Sequence, residues 1–151
     1  MLEPLTAPAP EVVQFLVDNR DDFTRVEGSG AAPDAAYLEA QLAWPAHRLY
    51  LTRSAGRVAS LVMTGLHPKH GIPWIGFLLV GATNRRTGVG RAAAAAVEAL
   101  WSSHGELQLA VLKTNPEGLR FWQAIGYQIC DERPTRDGAP CWVVRKEIGH
   151  G

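Results

Sequence analysis

The stretch from Trp74 to Ser103 constrains the fold of this chain more than any other. Trp74–Val80 is a continuous apolar run, the pattern of a strand buried on both faces. A polar turn follows, Gly81-Ala82-Thr83-Asn84. Then Arg85-Arg86-Thr87-Gly88-Val89-Gly90-Arg91 leads into a segment with helical spacing, Arg86–Ser103. On that helix Val89, Ala93, Val97, Leu100 and Trp101 share one face, and Gly105 can close it. A buried strand feeding through a glycine turn into an amphipathic helix calls for a sheet with helices packed on it.

The flanking segments supply the rest of that sheet. Pro10 opens a helix through about Arg20, with Val12, Phe15 and Leu16 on one face. A Gly/Ser-rich loop over Glu27–Ala32 precedes a second helix, Pro33–Ala43, with Ala35, Leu38 and Leu42 inward and Pro45 as its stop. Arg48–Arg53 and Arg57–Gly65 read as strands joined by a turn at Ser54–Gly56. Leu107–Leu112 alternates as a strand. Asn115-Pro116 starts a short helix that ends near Gly126, and Tyr127–Glu132 and Cys141–Glu147 form a last pair of strands. The expected fold class is α/β: a single domain over residues 1–151 with a mixed sheet flanked by helices.

Fifteen basic and fifteen acidic residues cancel, which argues against a nucleic-acid or anionic-membrane binder. The longest nearly apolar run, Ile72–Ala82, is too short for a bilayer and contains Pro73, Gly76 and Gly81. The opening MLEPLTAPAPE has neither a basic region nor an apolar segment, so a cytoplasmic location is expected. Cys130 and Cys141 are expected as reduced, buried thiols, and no metal site is expected, because ligands at metal spacing are missing.

The turn before the long helix is the chemical signal. A helix N-terminus leaves backbone N–H groups unpaired and carries partial positive charge, so it favours phosphate. Gly88 and Gly90 lack Cβ atoms and permit close approach to the backbone, and Arg85, Arg86 and Arg91 add cationic donors. An ordinary tight turn is the plain alternative, and the arginines and following helix weigh against it. Gly88-x-Gly90-x-x-Ala93 formally fits a dinucleotide fingerprint. However, polar residues separate it from its strand, and Lys113 stands where the ribose-binding acid belongs. No Gly-Lys-Ser/Thr occurs, so a P-loop fails as well.

At these residues the chain resembles the GNAT superfamily of N-acetyltransferases. Arg85, Gly88 and Gly90 meet the pattern Q/R-x-x-G-x-G/A, beginning five residues beyond Val80. Asn115, Gly118, Phe121, Trp122, Gly126 and Tyr127 meet a second pattern, N-x-x-[AG]-x-x-F-[YW]-x-x-x-G-[FY]. The resemblance covers residues 48–147 well and residues 1–47 only by helix count. It implies the GNAT fold, with a sheet that is mostly antiparallel, and transfer of an acetyl group from acetyl-coenzyme A to a primary amine of a small molecule or peptide. It implies that Leu78, Leu79 and Val80 offer backbone groups to the pantetheine arm. Arg85, Arg86, Thr87, Gly88, Val89, Gly90 and Arg91 would hold the pyrophosphate, while Asn115, Phe121 and Trp122 would flank the thiol end. Helix packing accounts equally well for Phe121 and Trp122. By analogy with family members, a homodimer is expected.

Two departures leave the catalytic acid and base unassigned. Many members place Tyr where Trp122 stands, as acid to the leaving thiolate, and many place Glu on the strand that here runs Trp74–Val80. A non-catalytic acyl-coenzyme A sensor or interaction module of the same fold is therefore the alternative reading. His67 and His70 lie in a loop near where family acceptors enter, and a loop histidine can accept a proton near neutral pH; a solvent-exposed loop histidine without a role is the plain alternative. Trp44, Trp74 and Trp142 are expected in a core or interface. Residues 1–40 hold eight acids against two arginines, a net −6 that leaves +6 elsewhere. In the family this segment walls the acceptor cleft, so the asymmetry implies a cationic amine, with Asp34 and Glu39 as the first acids to examine.

Overall fold

The computed structural model describes residues 1–28, 30–135 and 137–149. Seven strands form one sheet in the order β1-β2-β3-β4-β5-β7-β6. They are β1 (Glu3–Leu5), β2 (Arg48–Ser54), β3 (Arg57–Leu66), β4 (Pro73–Val80), β5 (Glu106–Leu112), β6 (Gln128–Pro134) and β7 (Pro140–Glu147). Every pairing is antiparallel except β4 with β5. The α/β class and the mostly antiparallel mixed sheet are as expected. Among the described residues no helix is long and apolar enough to cross a membrane, and no group of three or more His, Cys, Asp or Glu could hold a metal.

Among the described residues five α-helices cover the two faces: α1 (Pro10–Asp18), α2 (Arg20–Glu27), α3 (Ala35–Ala43), α4 (Val89–Leu100) and α5 (Pro116–Ala124). On one face Val12, Phe15 and Leu16 of α1, Phe23 of α2 and Leu38 of α3 pack on Leu49, Leu61, Met63, Phe77 and Leu79. On the other, Ala94 and Val97 of α4, Trp101 and Trp122 pack on Val62, Ile75, Leu107, Leu109 and Val144. Burying a large apolar side chain contributes roughly 1.5–3 kcal/mol, so each layer is anchored by its own cluster.

The sequence reading departs from this structure at several points. Helix α2 is not anticipated, because it is polar and buries only Phe23, leaving no periodicity to detect. It also takes Glu27 out of the expected loop, of which Ser29 lies outside the described residues. Helix α4 begins at Val89 rather than Arg86, since Arg86 (φ 61°) and Gly88 (φ 84°) hold left-handed backbone. Leu100 and Ala35 are exposed, as the helix faces rotate away from the expected stripes. Cys141 is buried but Cys130 is exposed, because β6 is an edge strand exposed along its whole length. Neither Trp44, Trp74 nor Trp142 is in the core: Trp44 is 48% exposed, and Trp142 lies under the Lys113 ammonium, 4.0 Å from the ring centroid.

Strand β4 alternates buried and half-buried residues instead of burying both faces. Its ladder with β3 slips at Gly76: Met63 pairs with Phe77 while Thr64 pairs with Ile75. A bulge of this kind inserts one residue and reverses the side-chain alternation beyond it. Ile75 and Phe77 accordingly enter opposite clusters. A Cβ on Gly76 would come within 2.3 Å of the Met63 Cε, so glycine suits the inserted position.

On its other edge β4 barely touches β5. The ladder pairs Trp74 with Gln108 and Ile75 with Leu109, and goes no further. The two strands splay apart from there.

Candidate active site

The splay leaves a narrow passage of about 30 Å³, lined by Val26, Ile75–Leu78, Leu109–Leu112, Asn115 and Trp122. A larger cavity adjoins each end. One, of about 430 Å³, shares Val26, Leu78, Asn115 and Trp122 with the passage. The other, of about 630 Å³, shares Leu109 and Ala110. The three spaces share these wall residues along the gap between β4 and β5.

The 430 Å³ cavity gathers twelve of the thirteen residues singled out in the sequence: Leu78, Leu79, Val80, Arg85, Arg86, Gly88, Val89, Gly90, Arg91, Asn115, Phe121 and Trp122. Thr87 is the exception, because its hydroxyl donates to the Asn84 carbonyl and braces the turn from outside. The α4 N-terminus has no side-chain cap, and its first intrahelical bond runs from the Ala92 N–H to the Gly88 carbonyl. The N–H groups ahead of Ala92 therefore lack helical partners at this wall.

The two glycines have different duties. Gly88 sits at φ 84°, and a Cβ there would meet nothing within 4 Å, so it would project into open space beside the cavity. Gly90 is buried, and its Cβ would press to 3.2 Å from Phe121 and Val80. Gly90 permits close packing of α4 on α5 and β4, while Gly88 provides the left-handed turn.

The cavity also holds Asn84 and Gly118, which the sequence placed in the turn and the second pattern, and residues the sequence reading missed: Asp22, Arg25 and Val26 of α2 and Glu117 of α5. Asp22 pairs with Arg25 at 2.6 Å and also binds Arg85. Arg86 and Arg91 make no ion pair among the described residues. Asn115 is 6% exposed and caps α5, accepting from the Gly118 N–H at 3.1 Å. Phe121 is half-buried, whereas Trp122 is 6% exposed and packs edge-on against Tyr127. Trp122 is thus as much core as cavity wall.

Among the described residues, none that lines the passage is titratable. Beside it, α2 ends at Glu27, whose carboxylate accepts the Tyr37 hydroxyl, and burial raises that carboxyl from 4.5 to about 7. Tyr37 in turn packs against Phe77 of the passage wall, with ring centroids 6.4 Å apart.

The acidity of the first forty residues does not gather at any of these spaces as expected. Glu3 and Glu11 are bound to Arg53 at 3.0 and 2.6 Å, and Asp34 caps α3 by accepting from the Tyr37 N–H. Neither Asp34 nor Glu39 lines a cavity described here. The His67 and His70 rings stack at 3.9 Å, and each Nδ1 accepts a backbone N–H, from Lys69 and Ile72 respectively. The neutral rings therefore carry their proton on Nε2, which leaves no free basic nitrogen for the role considered from sequence.

A sequence model of the acetyltransferase (GNAT) family matches residues 14–127. Among curated proteins no match to the sequence is found. Solved structures with this fold include an acetyltransferase from Thermus thermophilus, 18% identical with a TM-score of 0.79, covering 98% of this chain and 96% of that one. A GNAT family acetyltransferase from Elizabethkingia anophelis with acetyl-CoA bound is 15% identical, with a TM-score of 0.71 and coverage of 98% and 97%. The ribosomal-protein-S18-alanine N-acetyltransferase from Escherichia coli is 16% identical, with a TM-score of 0.67 and coverage of 100% and 96%. At such identities these likenesses concern the fold.

Proposed function

This chain belongs to the GNAT family of acetyltransferases, and from that membership we propose that it transfers an acetyl group from acetyl-coenzyme A to a primary amine by direct transfer in a ternary complex. The observation that carries the reading is the uncapped α4 N-terminus behind the left-handed Gly88, facing a cavity continuous with the splayed edge of β4.

Backbone N–H groups at the start of α4 bind the donor's pyrophosphate, assisted by Arg85, Arg86 and Arg91. Occupancy draws Arg85 away from Asp22. The pantetheine arm runs along Leu78–Val80, where β4 has no partner strand on the β5 side and can lend main-chain hydrogen bonds. Phe121 and Trp122 form the apolar wall at the thiol end.

The thioester then lies at the passage, and the amine arrives from the opposite side. Its nitrogen attacks the carbonyl carbon, a C–N bond forms and the C–S bond breaks. The nitrogen gives up a proton to water, and the departing thiolate takes one from water. Backbone N–H groups at the open edge of β4 stabilise the oxyanion. With no titratable side chain lining the passage, positioning of the two reactants supplies most of the acceleration. Trp122 cannot serve as acid, because an indole N–H is not acidic in this range.

The test is thiol release by the purified protein with acetyl-coenzyme A and a panel of primary amines. Turnover with at least one amine is expected, and tight donor binding without turnover of any would overturn the transfer reaction.

A further inference from the structure

The 630 Å³ cavity has walls of a different kind. Trp44 and Trp74 supply two indole surfaces, and both side chains keep part of their surface uncovered. Lys69 and Arg133 supply cations, and among the described residues not one aspartate or glutamate lines the space. Arg133 gives its Nε to Asp131 at 2.9 Å, and its terminal nitrogens have no partner among the described residues. Lys69 has no ion pair there either. His67, held edge-on against Trp74 with centroids 5.4 Å apart, presents Nε2–H as a further donor. Its imidazole is held below the usual range by burial and by the charges of His70, Arg133 and Lys69, which marks the sign of the local field.

We propose that this cavity is the acceptor site and that its occupant is a small aromatic amine carrying a carboxylate. The proposal rests on the acetyl-transfer reading above and names the substrate class for it. Size admits such a molecule, since ligand sites span roughly 300–1,000 Å³. The indoles favour a flat ring, which stacks on them with little loss of side-chain freedom. Indoles also attract cations, but two cationic side chains, only one of them paired with a carboxylate, oppose a purely cationic guest. Charge therefore decides between the two. The amine points toward Leu109 and Ala110, where the cavity meets the passage, and the carboxylate lies at Lys69 and Arg133. This reverses the preference that the sequence's charge asymmetry implies.

The experiment compares three amines: 4-(2-aminoethyl)benzoate, phenethylamine with the same ring and amine but no carboxylate, and spermidine. Turnover is read as kcat/KM at low salt, and binding to coenzyme A-loaded protein is read from tryptophan fluorescence, which needs no turnover. Calorimetry with acetyl-coenzyme A alone reads the donor side. The benzoate should lead by about tenfold or more in kcat/KM, as expected for complementary charge in a partly enclosed site. In the Lys69→Ala/Arg133→Ala double variant that lead should fall to within about twofold, with donor affinity unchanged. Trp44→Ala should weaken both aromatic amines alike. A preference for phenethylamine or spermidine, a lead that survives the double variant, or failure of the benzoate to bind protein that does bind acetyl-coenzyme A would each overturn the proposal. Failure to bind acetyl-coenzyme A would overturn the transfer reading itself, and this assignment with it.

Discussion

The two cavities at the ends of the β4–β5 gap are built from different materials. The 430 Å³ space takes its character from the main chain: a left-handed glycine, an uncapped helix end and a strand edge without a neighbour. The 630 Å³ space takes its character from side chains contributed by α3, the β3–β4 loop, β4 and β6. Main-chain features depend on a few obligatory residue types at fixed spacing, so one solution serves many relatives. Side-chain walls can change one residue at a time. The first cavity suits a constant reactant and the second a variable one.

Gly88→Val tests the main-chain half hardest. A β-branched residue at φ 84° must leave the left-handed region or bear about 1–2 kcal/mol of strain. Its side chain would also fill the open space beside the cavity. Acetyl-coenzyme A affinity should fall about 100-fold by calorimetry, the equivalent of two lost charge-assisted hydrogen bonds. Amine binding in the other cavity should hold. Equal losses on both sides would erase the division.

Glu27 probes the boundary between the halves. Burial raises its carboxyl from 4.5 to about 7, so the folded protein holds a proton that the unfolded chain has released. The associated stability is complete below about pH 4.5 and is lost as the pH climbs through about 7, a decline on the order of 3 kcal/mol. Glu27→Gln should flatten this decline in urea titrations at about pH 5 and about pH 8. Donor affinity should stay unchanged, and a large drop would make Glu27 part of the donor site.

The smallest effects concern the ion pair at the donor cavity. Arg85 is 46% exposed and already engaged by Asp22, so Arg85→Ala should weaken donor binding by about tenfold or less. Asp22→Asn frees the guanidinium and should strengthen donor binding about two- to threefold at low salt, fading as salt is raised. A loss of affinity in Asp22→Asn would mean that the aspartate orients Arg85 and does not compete for it.

The same contrast explains what could be read from the sequence. Strands β2 to β7 and helices α1, α3, α4 and α5 announce themselves through periodicity and through the Pro and Gly that bound them. Helix α2 has a single buried residue and gives no such signal. Arg85, Gly88 and Gly90 form a recognisable string because backbone geometry requires them in sequence. Trp44, Lys69, Trp74 and Arg133 come from four segments, and only the folded sheet brings them together. The placement of the acids of the first forty residues was hidden for a related reason: a summed charge does not reveal that Glu3, Glu11 and Asp22 are already matched to arginines.

Gly76 has a bearing on how such a protein can diversify. If Gly76 sat in a regular ladder and not in a bulge, Trp74, Leu78 and Val80 would keep one parity and line one side of the sheet. With it, Trp74 belongs to the larger cavity while Leu78 and Val80 belong to the smaller. Substitutions upstream of that glycine can then accumulate under selection for a new acceptor while the donor wall downstream stays under its own constraint. Straightening the bulge would tie the two histories together, because each change on one wall would be felt on the other.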